Sequence, residues 1–174
     1  VVGSFCLSDN TCPHCEYGFH SSCVQREFMS GAQAPYARVP LADGTLVATS
    51  EPPSPDQVVD LLATSDVLGT GWWAADAAAV RPGSTVVVVG DGAVGLMGVL
   101  AAREMGAERI IALSRHETRQ KLARDYGATD IVAARGDEGM ARIMDLTKGV
   151  GEHSVVGWVG QAEAISAALR RMAD

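Results

Sequence analysis

The most constraining feature of this sequence is a continuous β-branched run that leads directly into a glycine-rich turn. The run, STVVVVG at 84–90, is typical of a strand that is buried on both faces of a parallel sheet. Further strand patterns alternate with helical patterns through the rest of the chain, beginning with RIIALS at 109–114. Such alternation predicts βαβ units with right-handed crossovers. We therefore expect an α/β fold in which a doubly wound parallel sheet occupies residues 84–174.

The residues before this sheet are organised differently. Residues 1–50 are rich in turn-forming residues, with one strand or hairpin pattern, DGTLVATS, at 43–50. Ser54 and Pro55 form a helix-start signal, and an Ala-rich run at 72–80 predicts a second helix. We predict three segments: a turn-rich lobe over 1–50, connecting helices over 51–83 and the sheet domain over 84–174.

The turn after the first buried strand has the spacing G-x-G-x-x-G. A strand runs into it and an apolar helix runs out of it, which is the context that a dinucleotide-binding turn requires. Gly90 permits the tight turn, Gly92 lets the backbone approach a pyrophosphate, and Gly95 lets the helix pack close to the strand. The helix N-terminus would then offer its N–H groups to the phosphates. The cofactor-binding candidates in this turn are Gly90, Asp91, Gly92, Ala93, Val94 and Gly95.

The end of the second strand indicates which dinucleotide is bound. In NAD-binding domains an acidic residue normally stands there and accepts a hydrogen bond from the ribose 2′-OH. The corresponding position, counted along the chain from Gly90, is Ser114, which is followed by Arg115 and, one helical turn later, by Arg119. A hydroxyl and two guanidinium groups suit a 2′-phosphate, which an Asp at this strand end would repel. The pattern favours NADP over NAD, with the alternative that both arginines are ordinary solvated charges.

All four cysteines lie near the start of the chain, between Cys6 and Cys23. A disulfide scaffold would spread them through the chain, so the pattern favours metal binding in a reducing compartment, and we expect a cytoplasmic protein. Cys12, Cys15 and Cys23 have metal-ligand spacing, but a structural zinc site normally takes four ligands. A redox pair at Cys12 and Cys15 is disfavoured, because Gly18 and a third cysteine follow it instead of a helix.

Charge and composition exclude several classes of partner. The chain has 14 basic and 21 acidic residues, a net charge of −7, and its basic residues do not cluster. This balance disfavours nucleic acids and anionic membranes. No apolar run approaches the roughly 18 residues that cross a bilayer. A C2H2 finger is disfavoured because His14 and His20 lack the spacing that it needs. We expect neither a nucleic-acid nor a membrane partner.

Together with these motifs, longer stretches of the chain resemble the zinc-dependent medium-chain dehydrogenases, the alcohol dehydrogenase family. The resemblance is carried by the cysteine lobe and by SDVLGTGWWAA, VRPGSTVVVVGDGAVGL, GAERIIALSRHETRQKLARDYGATDIV and LTKGVG. It implies part of a GroES-like catalytic lobe over 1–50 and part of a Rossmann domain over 84–174. It also implies hydride transfer between NADP(H) and a small alcohol, aldehyde or ketone, in a parent protein that is a homodimer or homotetramer.

The resemblance bears on the fourth metal ligand. The family's structural zinc lobe has the pattern C-x2-C-x2-C-x7-C, and its last three positions match the three spaced cysteines named above. Its first position is Asp9 here, and a carboxylate oxygen is an accepted zinc ligand. Cys6 and His20 remain alternatives, as does a lobe without metal. In each case with metal, the ion would stiffen a lobe too small for its own core.

The stretch SDVLGTGWWAA implies further roles. Asp66 stands where the family has a Cys or Asp ligand of its catalytic zinc, with helix capping as the alternative. Thr70 would face the nicotinamide, whereas Trp72 and Trp73 would be packing residues. In the last strand pattern, HSVVGWVG, the expected nicotinamide-side residues are Val159 and Gly160.

We expect an incomplete member of this family. The other ligands of the catalytic zinc would lie upstream of residue 1, and Asp66 alone cannot complete a site that needs three protein ligands. The chain by itself is therefore not expected to turn over. Two alternatives stay open: a non-catalytic NADP(H)-binding remnant, and a zinc-independent quinone reductase-like protein, against which the cysteine lobe counts.

Overall fold

The computed structural model describes residues 1–158, which fall into two compact units. The first unit is Val1–Asp66 and the second begins at Val67. Val159 and Gly160, together with the helix expected at QAEAISAALRRMAD, lie outside the described residues. Among the described residues, no helix has both the length and the apolar character needed to cross a membrane.

The first unit is built from very short elements. Its strands are β1 (Val2–Gly3), β2 (Cys6–Leu7), β3 (Glu27–Phe28) and β4 (Leu46–Val47), and its helices are α1 (Pro13–Glu16), α2 (Ala42–Thr45) and α3 (Pro55–Thr64). A 3-10 turn spans His20–Ser22. β1 pairs with β4 and β2 pairs with β3, both antiparallel. Its buried side chains are Leu7, Ser8, Cys12, Cys15 and Cys23. The cysteines thus make up most of what this unit has as a core.

The start of α3 confirms the helix signal in the sequence. Ser54 accepts a hydrogen bond from the backbone N–H of Gln57, and the Gln57 side chain accepts one from the backbone N–H of Ser54. This reciprocal pair is a capping box, with Pro55 in the first turn. The strand or hairpin predicted at 43–50 is instead split between α2 and the two-residue strand β4.

The second unit contains one parallel sheet. Its elements are α4 (Val67–Ala77), β5 (Thr85–Val89), α5 (Ala93–Glu104), β6 (Arg109–Leu113), α6 (Glu117–Tyr126), β7 (Asp130–Val132), α7 (Gly136–Leu146) and β8 (Ser154–Gly157). The strand order is β7-β6-β5-β8, and all three pairings are parallel. The chain moves outward from β5 to β7 and then returns to the other side of β5. Such a reversal creates a crevice between β5 and β8 at the carboxyl ends of the strands.

Helices cover both faces of this sheet. On one face, Val87, Ile111 and Val132 form a buried cluster with Ile143 of α7. Because successive residues of a strand point to opposite faces, the fully buried Val86 belongs to the other face, which α5 contacts through β5, β6 and β8. The predicted doubly wound Rossmann-type sheet is confirmed.

The helix before the sheet differs from the prediction. α4 begins at Val67, ahead of the predicted start at Trp72, because its glycines interrupt the apolar pattern without interrupting the helix. Trp72 and Trp73 are 45% and 71% exposed, so in the described part of the chain they are not the packing residues that we expected. Gly71 is the buried contact instead: a Cβ at Gly71 would lie 2.7 Å from backbone atoms of Met97 and Gly98 in α5.

Candidate functional site

The three spaced cysteines and Asp9 form one cluster in the first unit. Their ligand atoms all lie within 4.8 Å of one another. The Sγ atoms of Cys12 and Cys15 are 3.6 Å apart, and Asp9 Oδ1 lies 3.2 Å from Cys23 Sγ and 3.7 Å from Cys15 Sγ. All of these cysteines are free thiols. The sequence positions that matched the family's zinc lobe are therefore adjacent in space.

The cluster has the dimensions of a tetrahedral zinc site. Zinc–sulfur bonds of about 2.3 Å and zinc–oxygen bonds of about 2.1 Å separate two sulfurs by about 3.8 Å and a sulfur from an oxygen by about 3.6 Å. The observed distances are close to these values. The alternative ligands are engaged elsewhere: Cys6 Sγ contacts the Ser21 carbonyl oxygen at 3.9 Å, and the His20 ring is 2.9 Å from Asn10 Oδ1. The residues present fit zinc, with Asp9 as the fourth donor.

Asp9 is positioned by α2, which the sequence pattern does not connect with the metal lobe. The Ser8 backbone N–H donates to Thr45 Oγ1 at 2.9 Å, and the Thr45 hydroxyl donates to the Ser8 carbonyl oxygen at 3.2 Å. Gly44 allows this approach, because a Cβ there would lie 2.6 Å from the carbonyl carbon of Asp9. The signal available in the sequence was the glycine of the predicted hairpin.

Hydrogen bonds set the charge of the cluster. The Thr11 backbone N–H and the Cys23 thiol donate to Asp9 and hold its pKa at about 2. Backbone N–H groups of Val24 and Cys15 lower the pKa of Cys12 to about 7. Burial, with neighbouring thiols, raises the pKa of Cys15 to about 12. Near neutral pH the cluster therefore holds the Asp9 carboxylate and, at Cys15, a thiol that must lose its proton before it binds a metal.

The glycine-rich turn lies at the carboxyl end of β5, at the point where the strand order reverses. Gly90 has φ 118°, a conformation that favours glycine, and a Cβ at Gly95 would lie 2.8 Å from the Gly90 carbonyl carbon. Gly92 is the residue before α5, with an ordinary φ of −78° and nothing within 4 Å of a Cβ built there. Gly95 thus serves packing, and Gly92 leaves open space in front of the helix N-terminus.

A hydrogen-bonded group joins this turn to the end of β6. The Ser114 hydroxyl donates to Asp91 Oδ2 at 2.8 Å, and Arg119 Nη1 lies 3.0 Å from Asp91 Oδ1. Burial raises the pKa of Asp91, but the hydrogen bonds from Ser114 and Arg119 and the charge of Arg119 outweigh it, so the pKa is lowered. The strand end has no acid of its own, as the sequence shows, but a carboxylate reaches it from the turn.

The remaining predicted residues lie as follows. Arg115 is exposed directly after Ser114. Asp66 is exposed and immediately precedes α4, and Thr70 lies within α4. Asp9 and its three cysteines are the sole group of three or more potential metal ligands in residues 1–158, so Asp66 joins no such group there.

Trp158 packs beside the glycine-rich turn, a placement that the sequence pattern did not predict. It follows β8 at the crevice, and its backbone N–H donates to the Val89 carbonyl oxygen at 2.9 Å. A Cβ at Gly98 would lie 3.1 Å from its indole nitrogen, so the ring lies across α5. That buried nitrogen has no hydrogen-bond acceptor in the described part of the chain. An aromatic residue at the carboxyl end of a strand pattern was the available signal.

Comparison with known proteins agrees with this geometry. A family profile described as "Zinc-binding dehydrogenase" matches residues 93–174. Zinc-type alcohol dehydrogenase B of Aspergillus flavus is 33% identical over 179 residues, covering 95% of this chain and 41% of the relative. The chain belongs to the zinc-dependent medium-chain dehydrogenase family.

A second relative is similar in sequence over a shorter part of the chain, and a solved structure is similar in fold. The NADP-dependent isopropanol dehydrogenase of Clostridium beijerinckii is 39% identical over 105 residues, which is 60% of this chain and 30% of that protein. The solved alcohol dehydrogenase from Thermus sp. ATN1 matches with a TM-score of 0.82 and 30% identity, over 96% of this chain and 50% of that one. The chain thus spans half or less of the length of these three proteins.

Proposed function

We propose that the protein is an alcohol dehydrogenase-like oxidoreductase that transfers hydride between NADP(H) and a small alcohol, aldehyde or ketone. The observation that carries this proposal is the glycine-rich turn at the sheet's reversal point, with a serine and two arginines at or just after the neighbouring strand end. Family membership adds the reaction class, and one similar protein is itself described as an NADP-dependent isopropanol dehydrogenase.

The turn would hold the cofactor pyrophosphate. Gly92 leaves room for it, and α5 presents the N–H groups of its first turn, which have no intrahelical partners, toward that space. When bound, the nicotinamide supplies the hydride donor or acceptor. The chain's own residues would supply the binding surface, and Trp158, which follows β8 and packs on α5, would lie beside it.

The residues around the end of β6 would read the adenosine 2′-phosphate. Ser114 offers a hydroxyl, and Arg115 and Arg119 offer guanidinium groups that pair well with phosphate. This set supports NADP over NAD. The observation that complicates it is the Asp91 carboxylate, which already engages Ser114 and Arg119.

Zinc would have a structural role in the first unit. We propose that Cys12, Cys15, Cys23 and Asp9 bind one ion, which would stabilise a unit that has few buried side chains. Asp66 would be one ligand of a separate catalytic zinc. Such a site needs three protein ligands, of which Asp66 would supply one.

The test is nucleotide binding by the chain itself, followed by nicotinamide fluorescence with NADPH and with NADH. We expect NADPH to bind more tightly. Arg115→Gln should weaken NADPH binding by about 10- to 100-fold, since a charge-assisted hydrogen bond is worth about 1.5–3 kcal/mol, and should change NADH binding little.

Arg124→Gln is the matched control, because Arg124 is exposed in α6 and its replacement removes the same charge. It should leave both affinities unchanged. Equal binding of the two nucleotides would remove the NADP assignment, and no binding of either would remove the cofactor role of this turn.

A further inference from the structure

Asp91, in the glycine-rich turn, contacts the residues proposed to bind the 2′-phosphate, a contact that the sequence at the end of β6 does not predict. The Asp91 side chain is only 17% exposed, and its two oxygens accept hydrogen bonds from two of the three groups assigned to the 2′-phosphate. Ser114 is itself buried, at 3% exposure, and the Gln120 side chain donates to its carbonyl oxygen at 2.9 Å. This carboxylate is therefore held in place at the end of β6.

We infer that Asp91 limits the preference of this chain for NADP(H), because it supplies from the glycine-rich turn the ribose-binding carboxylate that the end of β6 lacks. The inference rests on the proposed nucleotide site. An ionised carboxylate accepts up to about four hydrogen bonds, so Asp91 retains acceptor capacity for a ribose 2′-OH after bonding Ser114 and Arg119. It does for the unphosphorylated cofactor what a strand-end acid does in other dinucleotide-binding domains.

The same carboxylate opposes the phosphorylated cofactor. A 2′-phosphate that bonded to Ser114 or Arg119 would compete with Asp91 for both donors and would bring like charges within a few ångströms. For unit charges about 6 Å apart, Coulomb repulsion at effective dielectric constants of 80 and 20 corresponds to about 3-fold and about 100-fold in affinity. The arginines favour NADP(H), and Asp91 limits how strongly.

The experiment measures the dissociation constants of NADPH and NADH for the full chain and for Asp91→Asn. Asn keeps the shape and can still accept from Ser114 but carries no charge. We expect NADPH to bind about tenfold more tightly and NADH to bind the same or more weakly, so that the ratio of the two constants shifts toward NADPH by about tenfold or more. Repeating the titrations with 2′,5′-ADP and 5′-AMP should give the same shift without the nicotinamide.

Asp125→Asn is the charge-matched control, since Asp125 is exposed on α6 and its loss changes the net charge equally. It should leave the ratio unchanged. A purely structural role for Asp91 predicts parallel weakening of both nucleotides, and a role in orienting Arg119 for phosphate predicts selective weakening of NADPH. Either result overturns the inference.

Two further outcomes are distinguishable. If wild-type chain binds neither nucleotide, the proposed function fails and this inference fails with it. If wild-type chain binds both and Asp91→Asn unfolds, Asp91→Ser provides the second variant, because serine keeps a small polar group at the turn. A shift of the ratio toward NADPH in that variant supports the inference, and an unchanged ratio refutes it.

Discussion

Two glycines of the glycine-rich turn, Gly92 and Gly95, should have separate effects on nucleotide binding and on folding when each is replaced by alanine. A Cβ at Gly95 would lie 2.8 Å from the carbonyl carbon of Gly90 and closer still to its oxygen, although real Cβ atoms essentially never approach within 3.0 Å. Relief requires the start of α5 to move away from a closely packed turn. Gly92 has no atom within 4 Å of its Cβ position and an ordinary φ.

Gly95→Ala should therefore destabilise the chain by about 1–3 kcal/mol, the usual range for overpacking, because α5 carries seven buried residues that would move with its first turn. At about 2–4 °C per kcal/mol for a chain of this size, the thermal midpoint should fall by several degrees. Gly92→Ala should fold with unchanged or slightly higher stability and should lose nucleotide affinity by at least about tenfold, since its methyl group would enter the space proposed for the pyrophosphate.

The assay is thermal and urea denaturation of both variants, followed by NADPH titration of the folded proteins. The reasoning is refuted if the two variants lose equal stability. It is also refuted if Gly92→Ala binds NADPH as tightly as the wild-type chain does.

Three further predictions concern packing and metal binding. Gly69→Ala should stabilise the chain by up to about 1 kcal/mol, because Gly69 is exposed in α4 and no atom lies near its Cβ position. Gly71→Ala should destabilise the chain by about 1–3 kcal/mol, because its Cβ would contact α5. The urea midpoint should rise for the first variant and fall for the second, and equal midpoints would contradict this prediction. Asp9→Cys should bind zinc more tightly than the wild-type chain, because a thiolate is a softer donor than a carboxylate, and competition with a chelator measures the difference. Zinc affinity should fall about tenfold or more for each pH unit lowered below neutrality, since zinc must displace at least the proton of Cys15, whose pKa is raised to about 12; a flat pH profile would argue against thiolate ligation.

The sheet domain was predictable because strand composition, helix pattern and turn residues all indicate the same fold. A continuous run of valines formed β5, and α5 and α6 are followed by Gly106 and Gly127, whose φ values of 85° and 121° favour glycine. The first unit was less predictable, since its strands are two residues long and carry no periodicity. In this unit the informative pattern was the cysteine spacing, which predicts that the side chains lie close together but predicts no secondary structure.

The candidate sites divide along similar lines. Motif spacing placed the cysteines and the glycine-rich turn, because both depend on residues close together in the chain. It did not place Asp91 against Ser114, 23 positions away, since that contact depends on how two parallel strands end side by side. Nor did it indicate Gly44 beside Asp9, because a close backbone approach leaves no mark in the sequence other than the glycine itself.

The strand order has a consequence for the sequence of folding events. Val86 of β5 pairs with Ile110 of β6, the next strand along the chain, but also with Ser154 of β8, which follows only after β6 and β7. Closing the longer loop costs more chain entropy, and non-local pairings form more slowly. β5, β6 and β7 can therefore assemble as a ribbon with the glycine-rich turn already shaped, while β8 docks afterwards on the opposite side of β5. We therefore expect the crevice beside that turn to be among the last features of the described sheet to form.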